Sequence, residues 1–298
     1  SFNRLLSVCI ASDKTLYKQV LPHLSDKEIE NIHAHLIHYL SKTSLIIQLK
    51  MAREMLSSSD STDQDIGELL HQMPNCDSEE STGLYPLCLW ISRLKGWYLR
   101  PNQAPMSQQL ITKAVLGEES VIVEIMGGGK TTAAVMSALH LSGSRQLKDP
   151  SDSKKPVIVV TPKPLITQMS REFKDVFISL DRPVMVIDES KLVDEKGYFR
   201  RSGDLEALYR SLIQTTRQDG VIVMTPEFKQ LLSTMLPSLL VDKNQQSVNI
   251  VREILIYLDS KYGAIQLSDE NDVMWDVSHT FLRSEGVKSD RHPVQTWF

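Results

Sequence analysis

The stretch of sequence best suited to chemistry is VIVEIMGGGKTT, at residues 121–132. An apolar run rich in β-branched residues ends there in three glycines, and Lys130, Thr131 and Thr132 follow directly. Glycines allow positive φ and bring backbone N–H groups close to a polyphosphate, and the positive end of a helix that begins at Lys130 would point at the same anion. The pattern predicts a strand, a phosphate-binding turn and a helix.

We expect this turn to bind ATP or ADP together with Mg²⁺. Lys130 would contact the β- and γ-phosphates, and the Thr131 hydroxyl would hold the metal ion. The predicted nucleotide-binding residues of the turn are Met126, Gly127, Gly128, Gly129, Lys130, Thr131 and Thr132. The full phosphate-loop pattern has a glycine six residues before the lysine, where this chain has Glu124, so the match is to the shorter MGGGKT core.

Composition places the chain among globular proteins with a substantial core. Its 298 residues are 41% hydrophobic and 23% charged, which suits one large domain with an appendage. The net charge of -4 argues against a basic coat over the whole surface, although it is compatible with a local basic groove. No apolar run approaches the ~18 residues of a membrane span, so we expect no membrane partner.

The three cysteines, Cys9, Cys76 and Cys88, have spacings that suit neither a disulfide framework nor a zinc site. We therefore expect a reducing, cytoplasmic compartment. Because the sequence begins at Ser1 without a methionine, we expect it to be a fragment of a longer protein.

The order of elements indicates an open α/β domain. After the glycine turn, short apolar runs alternate with stretches of helical periodicity. The predicted strands are 120–125, 156–161, 183–188, 220–225 and 263–269. Continuous apolar runs are typical of strands buried on both faces, so we expect a parallel sheet with crossover helices. In that architecture ligands bind at the carboxyl ends of the strands.

A helical region is predicted to precede this lobe. We place the helical N-terminal region at 1–83 and the α/β lobe at 84–298. Ser25 and Glu28 have the spacing of a capping box, and apolar residues recur after them at helical intervals. These features predict a long helix and indicate packing rather than chemistry.

Two strand ends carry the same dipeptide, Thr161 with Pro162 in VVTPKPL and Thr225 with Pro226 in VMTPEF. Threonine is a good N-cap and proline suits the first helical position, so each helix is predicted to begin at the edge of the sheet. Helix N-termini placed there can hold the phosphates of a single-stranded nucleic acid or the carbonyl groups of a polypeptide. The alternative is that Thr-Pro only starts a helix.

Two acidic segments compete for the metal ion and the attacking water. Asp188 and Glu189 follow one predicted strand, and Asp269, Glu270 and Asp272 follow another. A carboxylate at the end of a strand beside the phosphate-binding turn would bind Mg²⁺, and an adjacent glutamate would polarise water. The chemistry of these residues alone does not separate the two segments.

In their order along the chain, these motifs resemble those of the first RecA-like lobe of superfamily-two helicases and translocases. That lobe carries a glutamine motif, a phosphate loop, Thr-Pro segments and a D-E-x-D or D-E-x-H box. The corresponding stretches here are LRPNQ, MGGGKTT, VVTPKPL, VMTPEF and SDEND. The resemblance implies that Gln103 reads the adenine, that Asp269 binds Mg²⁺, and that Glu270 and Lys130 serve catalysis.

The chain looks closer still to a poorly characterised family of very long ATPase-like proteins, known mainly through a domain of unknown function. The motifs of that family, R-x-x-Q, M-G-x-G-K-[ST], Pro-Glu and D-E-x-D, are similar to LRPNQ, MGGGKT, TPEF and SDEND over roughly residues 85–298. Gly128 stands where that family often has Glu, and Ser268 stands where it often has Leu.

The resemblance implies a helicase-like NTPase in which two lobes close on the nucleotide. Too few residues follow Asp272 for a second lobe of roughly 150 residues, so we expect hydrolysis to need a second RecA-like lobe from elsewhere. Two alternatives stay open. One is an ATP-driven protein remodeller or translocase of the SecA type, and the other is a nucleotide-sensing interaction module that hydrolyses little.

Overall fold

A computed structural model gives the fold of the chain. It describes residues 2–11, 16–58, 62–63, 66–67, 84–95, 99, 102–118, 130–144, 155–193, 200–241, 244–259 and 264–268. The helices are α1 (Phe2–Ile10), α2 (Tyr17–Val20), α3 (Asp26–Leu56), α4 (Tyr85–Lys95), α5 (Gln103–Leu116), α6 (Lys130–Gly143), α7 (Ile166–Ile178), α8 (Ser202–Arg217), α9 (Pro226–Val241) and α10 (Gln245–Tyr257). The strands are β1 (Val157–Val160), β2 (Val184–Ile187), β3 (Val221–Met224) and β4 (Ile265–Ser268).

The four strands form a parallel sheet in the order β2-β3-β1-β4. β1 lies between β3 and β4, with Val160 paired with Met224 on one side and with Ser268 on the other. The predicted parallel sheet is therefore confirmed, and each of these strands falls within a predicted range. The first predicted strand, 120–125, lies outside the described residues.

The strands are buried on both faces, as their continuous apolar sequences predict. In β1, Val157 and Val159 face a core shared with helices from α1 to α7, whereas Ile158 and Val160 face a core shared with α8 to α10. Because side chains alternate along a strand, a sheet covered by helices on both sides needs apolar residues at every position. The result is an open α/β sheet between two layers of helices.

The N-terminal helices confirm the predicted helical region. The Ser25 hydroxyl accepts the N–H of Glu28 (3.4 Å), and the Glu28 carboxylate accepts the N–H of Ser25 (2.8 Å), so α3 begins with the predicted capping box. Leu6 of α1 and Leu40 of α3 belong to the same hydrophobic core as Phe173 of α7. The N-terminal helices therefore pack against the α/β lobe. No described helix is both long and apolar enough to cross a membrane.

The cysteines depart from the expectation. Cys9 of α1 is a free and buried thiol, whereas Cys88, buried in α4, is disulfide-bonded. The spacings suit no disulfide framework, yet Cys88 is bonded, because disulfide pairing depends on proximity in the fold and not on spacing in the sequence. The cytoplasmic, reducing compartment was inferred from that expectation and stays a prediction.

A buried arginine joins α1 to α6. Arg182 lies two residues before the start of β2, and only 4% of its surface is exposed. Its Nε–H donates to the Ser7 hydroxyl of α1 (2.8 Å), and its Nη1–H groups donate to the Leu139 carbonyl (2.8 Å) and the Ser142 hydroxyl (3.3 Å) of α6. Burial lowers the pKa of Arg182 to about 10, and the nearby charge of Asp219 opposes that shift. These contacts hold the C-terminal end of α6 against α1 and the residues before β2.

We predict that Gly143→Ala destabilises the fold by about 1 to 3 kcal/mol through overpacking. Gly143 ends α6, and an added methyl group would lie 2.7 Å from Nη2 and 3.0 Å from Nη1 of Arg182. The guanidinium cannot retreat without losing its bonds to Ser7 and Leu139. Urea denaturation measures the change in the free energy of unfolding.

Gly203→Ala in α8 is the matched control. Nothing lies within 4 Å of the methyl group that this substitution adds, so stability should stay unchanged or rise slightly. If Gly143→Ala and Gly203→Ala changed the free energy of unfolding equally, the contact with Arg182 would not determine the cost of a side chain at residue 143.

Candidate functional site

The carboxyl ends of three neighbouring strands bring polar residues together. Thr161 follows β1, Asp188 follows β2 and Thr225 follows β3. The N–H of Thr161 donates to the Met224 carbonyl (3.0 Å), and the N–H of Thr225 donates to the Ile187 carbonyl (3.2 Å). Adjacent strands lie about 4.8 Å apart. We refer to Thr161, Asp188 and Thr225, with the turns that follow them, as the carboxyl edge.

The two Thr-Pro segments differ in how they start their helices. After β1, a 3₁₀ turn at Lys163–Leu165 begins with Pro162 in the N-cap position, so the prediction of Thr161 as N-cap is wrong. The reason is that Pro162 keeps an extended ψ of 145°, so the turn begins only at Lys163. After β3, α9 begins at Pro226, so Thr225 precedes the helix as predicted.

Thr161 and Thr225 present buried hydroxyl groups at this edge. Both residues are 0% exposed, and neither Oγ1 atom has a hydrogen-bond partner among the described residues. Val160 and Met224 face the α8–α10 core, so by strand alternation the two threonines face the side on which α6 packs. Buried hydroxyl groups nearly always have hydrogen-bond partners. The two neighbouring hydroxyl groups without partners among the described residues could therefore bind a ligand or a water molecule.

Carboxylates surround the lysine of this edge. Lys163 donates to the carboxylate of Glu189, and that hydrogen bond and charge raise the pKa of Lys163, with added effects from Asp188 and Glu227. One carboxylate oxygen of Glu189 and one of Glu227 are buried and have no partner among the described residues. The positive charge of Lys163 is therefore largely offset. Sequence reasoning missed this group, because 26 positions separate Lys163 from Glu189.

Asp188 and Glu189 are both engaged in contacts of the fold. Asp188 caps the turn Glu189–Lys191, accepting the N–H of Ser190 (3.1 Å), and Glu189 pairs with Lys163. No group of three or more His, Cys, Asp or Glu side chains that could hold a metal occurs in the part of the chain that the structure describes.

The competing acidic segment follows β4. Ser268, the last residue of β4, pairs with Val160 of β1. Asp269 and Glu270 come next in the sequence and lie outside the described residues. Their predicted roles in binding Mg²⁺ and in polarising water remain predictions.

The sequence predicts a helix from Lys130, and α6 begins there within the described residues. Lys130, Thr131 and Thr132 form the first turn of α6 and are partly buried. The other predicted residues of the turn, Met126, Gly127, Gly128 and Gly129, lie outside the described residues. The described first turn places one ammonium group and two hydroxyl groups at the positive end of a helix, where anions bind.

Gln103 lies close to that helix end. It is buried at the first position of α5, and its carbonyl accepts the Ser107 hydroxyl (2.8 Å). The same hydroxyl contacts the Ala133 carbonyl of α6 (3.2 Å), and the Ser137 hydroxyl of α6 contacts the Ser107 carbonyl (3.4 Å). Ser107 of α5 and Ala133 of α6 are in contact. Gln103 lies about one helical turn (~5 Å of rise) from Ser107, and Lys130 lies about one turn from Ala133.

Comparison with known families agrees with this geometry. Residues 105–248, slightly less than half of the chain, match the family model of the DEAD/DEAH box helicase. The match supports a helicase-type lobe. The parallel sheet with its flanking helices is accordingly a RecA-like α/β fold. No curated protein and no solved structure matches the chain.

The matched segment contains part of the predicted site. It includes Lys130 and the carboxyl ends of β1, β2 and β3, and it begins after Gln103 and ends before Asp269. The resemblance to the family of very long ATPase-like proteins stays a prediction.

We predict that Thr161→Val and Thr225→Val leave the free energy of unfolding unchanged or raise it by about 1 kcal/mol. Valine keeps the shape of threonine and removes a buried hydroxyl that has no partner among the described residues. Thr216→Val is the matched control, because the buried Thr216 hydroxyl accepts from Tyr257 (2.6 Å) and donates to the Leu212 carbonyl (3.2 Å).

The control should lose about 1 to 3 kcal/mol, since it leaves a buried partner unpaired. Chemical denaturation compares the three variants. A loss at Thr161 as large as that at Thr216 would show that the Thr161 hydroxyl already has a structural role in the free protein.

Proposed function

We propose that this lobe is the ATP-binding, Mg²⁺-dependent lobe of a helicase-like NTPase. The observation that carries the proposal is the first turn of α6, where Lys130, Thr131 and Thr132 follow the glycine sequence inside the segment that matches the helicase family. The neighbouring start of α5 adds Gln103, which we assign to the adenine. Together these residues provide contacts for both ends of a nucleotide.

The residues of this turn fit the chemistry of ATP hydrolysis. In that reaction water attacks the γ-phosphorus as the bond to the ADP oxygen breaks, and charge on the phosphate oxygens must be stabilised. Lys130 would donate charge-assisted hydrogen bonds to those oxygens, at a helix end that already favours anions. The Thr131 hydroxyl is an oxygen ligand of the kind Mg²⁺ prefers, and the bound ion would neutralise phosphate charge.

We assign Asp269 to the Mg²⁺ site and Glu270 to the attacking water. Two observations support this choice over Asp188 and Glu189. The cap on Ser190 and the pair with Lys163 already engage one oxygen of each of the earlier two carboxylates. The segment that starts at Asp269 follows β4, which pairs directly with β1.

We further propose that fast hydrolysis needs a second RecA-like lobe. Phosphoryl transfer depends mostly on positioned charge, and an arginine finger alone is worth roughly 10³ to 10⁵ in rate in related enzymes. The resemblance assigns that arginine to the second lobe. Closure of two lobes would also exclude water and strengthen the electrostatic contacts.

A second candidate function is ATP-driven remodelling of a polypeptide. The observation that favours it is the charge of the carboxyl edge, where Asp188, Glu189 and Glu227 surround Lys163. Carboxylates repel a phosphate backbone, whereas they tolerate or attract a peptide. Affinity for single-stranded RNA that falls with salt, at a log-log slope near −0.7 per phosphate contact, would favour a nucleic-acid partner instead.

We predict that Lys130→Ala weakens ATP and ADP binding about ten- to hundredfold, because charge-assisted bonds to phosphate are worth roughly 1.5 to 3 kcal/mol each. Calorimetry in the presence of Mg²⁺ measures the affinity. Lys113→Ala is the matched control, since Lys113 is an exposed lysine of α5 that pairs with Glu118. Equal affinities of Lys130→Ala and the wild type would refute the nucleotide site.

We predict that Asp269→Asn removes most of the Mg²⁺ dependence of nucleotide binding, whereas Asp188→Asn does not. Asparagine at 188 keeps an oxygen that can accept the N–H of Ser190, so the turn should persist. Nucleotide affinity measured with Mg²⁺ and with EDTA gives the dependence for each variant. The reverse pattern would move the metal site to Asp188.

A further inference from the structure

The second half of α3 buries small and polar residues and leaves several large apolar ones exposed. In its first half, α3 buries Leu36 and Leu40. In its second half, the buried positions are instead Ser44, Gln48 and Ala52, each no more than 5% exposed. A surface helix normally buries its large apolar residues and exposes its polar ones. Several apolar residues of the second half therefore lie outside this core.

Four large apolar residues of this half are exposed, whereas Ile47, Met51 and Met55 are partly buried. Leu45, Ile46, Leu49 and Leu56 have exposed fractions of 52%, 51%, 53% and 68%, and we call these four residues the α3 apolar stripe. Exposed apolar residues are common singly, but several on one helix face mark an interaction site. Leu45, Leu49 and Leu56 recur at intervals of four and seven residues, which is the spacing of a seam between two helices.

Positive charge borders the α3 apolar stripe. Lys42, Lys50 and Arg53 are exposed, and each lies one helical turn from a residue of the stripe. The chain as a whole has a net charge of -4, so this positive charge is local. A second copy of the chain would bring the same cations to the seam, where like charges repel. A partner with carboxylates beside its apolar residues has the complementary charge.

We propose that the α3 apolar stripe binds an acidic amphipathic helix of another polypeptide. Leucines or similar residues of the partner would pack beside Leu45, Leu49 and Leu56. Aspartates or glutamates flanking them would pair with Lys50 and Arg53. The narrow seam fits one helix, whereas a helix lying on a membrane surface presents a broader apolar face.

The test uses the 298-residue chain and a synthetic helical peptide of roughly three heptads, with leucine at a and d and glutamate at e and g. Fluorescence anisotropy measures its affinity, and a scrambled peptide of the same composition is the control ligand. We expect Leu49→Ser to weaken binding about ten- to hundredfold, as loss of a buried leucine contact implies. Arg53→Glu should weaken it most at low salt, because salt screens exposed charges.

Two matched variants separate a specific site from general effects. Leu240→Ser removes an apolar side chain of α9 that is 58% exposed, and Lys174→Glu reverses an exposed charge on α7. Both should bind the helical peptide as the wild type does. The melting temperature of Leu49→Ser should stay close to that of Leu240→Ser, because both positions are exposed.

Three outcomes would overturn the proposal. The first is the absence of binding to the helical peptide, or binding equal to that of the scrambled peptide. The second is equal binding by Leu49→Ser and Leu240→Ser. The third is that Leu49→Ser abolishes another interaction instead, either self-association in analytical ultracentrifugation or sedimentation with phosphatidylserine vesicles, which would assign the stripe to a second copy or to a membrane surface.

Discussion

The pairing of β1 with β3 and of β3 with β2 is the constraint on which the rest of the structure depends. The backbone bonds continue one residue past the strands, from the N–H of Thr161 to the Met224 carbonyl and from the N–H of Thr225 to the Ile187 carbonyl. A shift of β1 by one residue would leave such groups unpaired in a buried sheet, which is costly. The register therefore fixes which side chains meet at the carboxyl edge, and with them the chemistry available there.

The periodicity of apolar residues predicted most of the fold. Polar contacts between residues far apart in the sequence could not be predicted. The apolar runs located β1 to β4, and the capping pattern located the start of α3, because both signals are local. The prediction of Thr161 as an N-cap was wrong, since Pro162 keeps an extended ψ and the turn begins only at Lys163. The pair of Lys163 with Glu189 and the contact of Arg182 with Ser7 join residues far apart in the sequence, so no local pattern indicates them.

The carboxyl edge combines features that favour different partners. The buried hydroxyls of Thr161 and Thr225 would suit the phosphates or the carbonyl groups of an extended chain. Glu189 and Glu227 offset the charge of Lys163, which weakens any attraction to a polyanion. At the phosphate site proposed for α6, Lys130 and the helix dipole act in the same direction. The proposed nucleotide site and the carboxyl edge therefore differ in their electrostatics.

The two ends of α6 carry opposite partial charges and face different groups. At its C-terminal end, the partial negative charge of the helix faces the buried guanidinium of Arg182, which takes the carbonyl of Leu139. This arrangement compensates a buried cation with helix carbonyls and the Ser7 hydroxyl. The positive end of the same helix, at Lys130, remains for an anion. Because Ser7 belongs to α1, the helices before the lobe help to hold the element that presents Lys130, and their packing would support the proposed nucleotide site.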